Sequence, residues 1–72
     1  MAKRTKFAVW MGDDHVARFS SYSDAIWFAR EVSRLDSPRF AGGTSEVSDR
    51  TGLIAQFDDG AATPEFSHLD AA

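Results

Sequence analysis

The groups in this chain with the chemistry to act on a substrate are two histidines, eleven carboxylates and a scatter of serines, and their spacing decides what each can do. His15 and His68 have no Cys, His or carboxylate at a metal-ligand interval such as H-x-x-x-H, so neither anchors a zinc-type site. Asp13-Asp14-His15 offers oxygen ligands to a hard cation, but aspartates in a turn hydrogen-bond their own backbone, and a turn accounts for them. Asp58-Asp59-Gly60 lacks the alternating acidic ligands and the distal Glu of a calcium loop. Gly42-Gly43-Thr44-Ser45 has no Lys after it and leads into a strand pattern, so the amide cradle and helix dipole that hold phosphate are both missing. No serine sits in a G-x-S-x-G or equivalent setting that would supply a base and an oxyanion hole. The absence of cysteine removes thiol nucleophiles, disulfides and thiolate ligation together. A chain this short is also expected to struggle to enclose a pocket of several hundred Å³. The expectation is a protein that is not an enzyme, carries no metal and no cofactor, and works by binding.

The residues suited to binding are the two tryptophans and the cations near them. At 100° per residue, with Tyr22 as origin, Ala25, Ala29 and Val32 centre an apolar face at about 300°, while Trp27 lies at about 140° with Ser23, Arg30, Glu31 and Arg34. Trp27 is therefore expected to face solvent, and with Arg30 and Arg34 it has the composition of an interface hot spot. The alternatives are that the C-terminal segment or the long loop covers Trp27, or that Arg30 stacks on its ring. Trp10 and Arg18 form a second candidate patch, on the face of a sheet turned away from the helix, expected on the opposite side of the molecule from Trp27.

The elements that position these groups are readable from pattern. Phe7-Ala8-Val9-Trp10-Met11 and His15-Val16-Ala17-Arg18-Phe19 flank a Gly-Asp-Asp turn signal and read as a hairpin. A three-residue loop over 12–14 would place Phe7, Val9, Met11, Ala17 and Phe19 under a helix, with Ala8, Trp10, Val16, Arg18 and in a later strand Ile54 on the outer face. Ser21-Tyr22-Ser23-Asp24 is a capping-box variant that starts a helix. Apolar positions Tyr22, Ala25, Ile26, Ala29 and Val32 carry it to Leu35 or Asp36, where Pro38 forbids continuation. After a loop over 36–45, Glu46-Val47-Ser48-Asp49 and Leu53-Ile54-Ala55-Gln56-Phe57 flank Arg50-Thr51-Gly52, the signature of a type I turn closed by a left-handed glycine. The order strand, strand, helix, strand, strand predicts an α+β fold, a two-layer ββαββ domain with antiparallel hairpins and the helix on one face. Residues 1–5 read as a flexible basic N-terminus, 6–60 as the single domain, and 61–72 as an acidic, partly disordered tail that frays at its end, with docking open to Phe66 and Leu69.

The run from Phe19 through Ser21, Tyr22, Asp24, Ala25, Ile26, Phe28, Ala29, Arg30 and Glu31, followed by Glu46-Val47, Asp49 and Gly52-Leu53-Ile54, resembles small bacterial and phage-borne ββαββ domains of unknown function. Their helix begins F-x-[ST]-x-x-[DE]-A and their second hairpin turns on D-x-x-G. The resemblance spans most of residues 6–60 and rests on cap, core and turn positions, so it implies the topology and no chemistry.

Charge ranks the partners. Residues 1–40 carry seven basic and five acidic side chains, and residues 41–72 one basic and six acidic, for a net charge of −3. The first expectation is a protein-interaction module, whose partner is another protein or a second copy of the chain, using Trp27, Arg30, Arg34, Trp10 and Arg18. The alternative is a nucleic-acid-binding accessory protein in which an aromatic sheet face stacks bases and Lys3, Arg4, Lys6, Arg18 and Arg39 meet phosphates. Net negative charge disfavours it unless the signs segregate in space. No apolar run approaches the length of a membrane span and the basic start lacks a signal-peptide core, so a cytoplasmic protein without a membrane partner is expected.

Overall fold

A computed structural model of the chain describes residues 5–37 and 42–70. Strands β1 (Phe7–Met11) and β2 (Asp14–Phe19) precede helix α1 (Tyr22–Ser33), and β3 (Thr44–Asp49), β4 (Gly52–Asp58) and the short β5 (Ala61–Ala62) follow it. The sheet is antiparallel throughout, in the order β2-β1-β3-β4-β5. The helix covers one face, so the fold is the expected two-layer α+β arrangement, extended by a fifth strand and by 3₁₀ turns over Pro64–Asp70.

The core is built from small residues at the line of closest approach. Ala25, Ala29 and Val32 on the helix and Val9, Val47, Ala55 and Phe57 on the three central strands are buried, with Phe28 beside them. Alanines there let the helix sit low on the sheet, and the buried hydroxyl of Ser45 bridges the layers by donating to the Ala29 carbonyl at 2.6 Å. Ser21 caps α1 as read, its hydroxyl accepting the Asp24 N–H at 3.4 Å.

Three local expectations are corrected. The first hairpin closes on two residues, Gly12-Asp13, rather than three, because a bulge in the register between Val9 and Trp10 absorbs the odd residue. The faces survive: Phe7, Val9, Met11, Ala17 and Phe19 still meet the helix side, but Val16, and Ile54 at the matching irregularity of β4, also pack against the core instead of opening outward. The helix stops at Ser33, short of Leu35, because Arg34 turns extended (ψ 138) and Gly43 N–H caps the Ser33 carbonyl at 3.1 Å. Gly42 is required there, since a Cβ would lie 2.6 Å from the Arg34 carbonyl oxygen. Residues 61–70 take the docked outcome left open for Leu69: Ala62 pairs with Phe57, and Leu69 packs against the core. The second hairpin forms where expected, with Gly52 at positive φ (120), but β3 already starts at Thr44 and Gly52 pairs with Asp49 as the first residue of β4, leaving Arg50-Thr51 as the turn.

Candidate functional site on the open face of the sheet

Alternation along β1 turns Trp10 away from buried Val9, onto the sheet face that carries no helix. Two contacts fix the indole there. Its Nε1–H donates to Ser48 Oγ at 3.2 Å, and the His15 ring lies across from it with centroids 5.0 Å apart. Ala8, one pair along on the same face, sits between Arg18 of β2 and Ser48 of β3. Lys6, Ala8, Trp10, Arg18, Ser48 and Arg50 line one open concavity of about 670 Å³, larger than a chain of this length was expected to form, because the groove is left unroofed rather than enclosed.

None of Lys6, Arg18 and Arg50 forms an ion pair among the described residues. The carboxylate in the lining, Asp49, is turned into its own hairpin, where it accepts the Thr51 hydroxyl and the Thr51 N–H. The Thr51 hydroxyl chiefly, then its amide, holds the Asp49 carboxyl below the usual carboxylate range. These cations stand at the end of the sheet where β1 starts, β2 finishes and β3 turns into β4, whereas Asp13 and Asp59 in the turns, and Asp14 and Asp58 at the strand ends beside them, occupy the other end. Within the sheet the signs do segregate, which sequence position alone leaves open.

On the helix side Trp27 is 64% exposed, as its position on the helix requires, and its two arginines make contacts within the chain. Arg30 lies over the Phe57 ring at 4.6 Å, donates to the Gly60 carbonyl at 2.9 Å and pairs with Asp70 at 2.6 Å. Arg34 faces Glu31 and Asp36 at 3.8 and 3.4 Å. The reason differs for the two: folding 61–70 back brings the Gly60 carbonyl and the Asp70 carboxylate to Arg30, whereas Arg34 meets carboxylates from its own neighbourhood in the chain. Arg30 does stack on an aromatic ring, but on Phe57 and not on Trp27.

Arg50 and Ser48 belong to the site and were not singled out from sequence. Their signal was the alternation of β3, which puts Ser48 on the Trp10 face once the β1–β3 pairing is known. Lys3, Arg4 and Arg39 lie outside the described residues. Among the described residues no three His, Cys, Asp or Glu side chains are grouped to hold a metal, and no helix is long and apolar enough to cross a membrane. Compared with known proteins, the chain matches no family model, no curated protein and no solved structure.

Proposed function

We propose that this protein is a non-catalytic protein-interaction module that engages its partner through the helix-free face of the sheet, around Trp10. The observation that carries the reading is the concavity in which an anchored indole is ringed by Lys6, Arg18 and Arg50, cations without ion-pair partners among the described residues. A rigid aromatic flanked by guanidiniums is the composition that interfaces favour, because both groups desolvate at low entropic cost. Trp27 is a lesser contributor in this reading, since Arg30 and Arg34 are engaged within the chain.

Affinity capture with matched variants tests it. Trp10→Ala and Arg18→Glu are expected to abolish retention of the partner, and Trp27→Ala to leave it within about twofold, as for a contact outside the central patch. The reverse pattern would move the site to the helix and end the proposal. A second reading, single-stranded nucleic acid on the same face, draws support from the segregation of charge within the sheet; it requires heparin retention that falls steeply with salt.

A further inference from the structure

We infer that the basic end of this face takes a short, extended, acidic protein segment carrying one apolar side chain; the inference rests on the open-face reading above. Charge complementarity selects the sign of the ligand. Lys6, Arg18 and Arg50 converge on one concavity, and the one carboxylate in its lining, Asp49, is occupied by Thr51. An anion arriving there meets cations that need not first release an internal partner.

The apolar requirement comes from the concavity itself. Ala8 and Trp10 belong to its lining, and Leu53, paired with the lining residue Ser48 and 45% exposed, adds apolar surface beside it on β4. One branched or aromatic side chain seated between the indole and Leu53 removes that surface from water. Length is limited by geometry. The row Arg18, Ala8, Ser48, Leu53 crosses four neighbouring strands, about 14 Å at ~4.8 Å per strand, which about four extended residues span. Beyond the row the same face turns acidic, with Glu46 paired to Trp10 and Asp58 further along. A long polyanion crossing the face meets that repulsion, whereas a short acidic segment stays within the basic end. This favours a protein segment over a nucleic-acid strand.

The test is an amide chemical-shift titration of the full chain with three probes: the hexapeptide acetyl-EEDLEE-amide, its neutral counterpart acetyl-QQNLQQ-amide, and an oligothymidylate of similar length. The acidic peptide is expected to shift the amides of Ala8, Trp10, Ser48 and Leu53, with the neutral peptide at least about tenfold weaker. Arg18→Glu and Arg50→Glu, both at exposed positions, should each weaken it by roughly tenfold without lowering the melting temperature. Equal binding of the neutral peptide, or tighter binding of the oligothymidylate, overturns the acidic-segment assignment and leaves the open-face reading standing. So does a concentration-dependent dimer that perturbs the same amides without any probe, because a second copy then fills the groove. Shifts confined to the helix around Trp27 overturn both, and no shift with any probe at millimolar concentration overturns the assignment.

Discussion

Ser33 joins two stretches of chain through one hydroxyl, the end of α1 and the turn at Gly60. Its Oγ donates to the Arg30 carbonyl at 2.8 Å and accepts the Gly60 N–H at 2.9 Å, and the side chain is fully buried. Ser33→Ala leaves the Gly60 amide without its acceptor, so a loss of about 1–3 kcal/mol is expected in urea unfolding. The exposed Ser67→Ala should change stability by less than about 0.5 kcal/mol. Nothing in the local sequence marks Ser33 as different from Ser23 or Ser67. Its role comes from a partner 27 positions away, whereas the capping role of Ser21 depends on a residue three positions away and was readable.

The C-terminal segment is a clasp whose ends are side chains. Asp70 pairs with Arg30 of the helix and accepts the Ala62 N–H at 2.9 Å, closing the 3₁₀ turns onto β5. The Arg30 hydrogen bond, then that of Ala62, holds the Asp70 carboxyl below its ordinary 3.8. A carboxyl depressed in the folded state binds its proton more readily once unfolded. Its stabilisation is therefore complete above the ordinary value and is lost as pH falls through the lower folded one. Hydrogen exchange at the Ala62 amide should accelerate as pH drops below about 4, after correction for the intrinsic rate. Asp70→Asn should raise that exchange at neutral pH and remove its acid dependence. If the wild-type amide were indifferent to acid, the clasp would not be closed by Asp70. The same contacts engage Arg30 of the Trp27–Arg30–Arg34 stripe from outside the helix: a helical wheel records which residues are neighbours on one element, not what another element brings to them.

For the molecule as a unit, size sets the tolerance. A domain of 72 residues commonly retains only about 4–10 kcal/mol of stability at ~0.05–0.15 kcal/mol per residue. Phe57 is fully buried in the sheet centre and carries Arg30 on its ring. Phe57→Ala is expected to cost about 3–5 kcal/mol, a large share of that total, and to give a variant substantially unfolded at modest urea. A midpoint unchanged from wild type would mean that the core is not organised around this ring. Polarity also belongs to the whole molecule: basic and acidic ends of the sheet arise from three strand pairings acting together.

By itself the sequence determined the features that depend on near neighbours. These are the α+β class, the strand and helix order, the Ser21 cap, the glycine turn at Gly52 and the outward aim of Trp27, because period, capping and turn chemistry act within a few residues. Tertiary structure alone decided where the helix ends, that 61–70 closes the sheet, that Arg30 is engaged, and that Arg50 joins Lys6 and Arg18 beside Trp10. Each of those rests on contacts between segments distant in the chain, whose registers and bulges are set by packing the whole sheet against the helix.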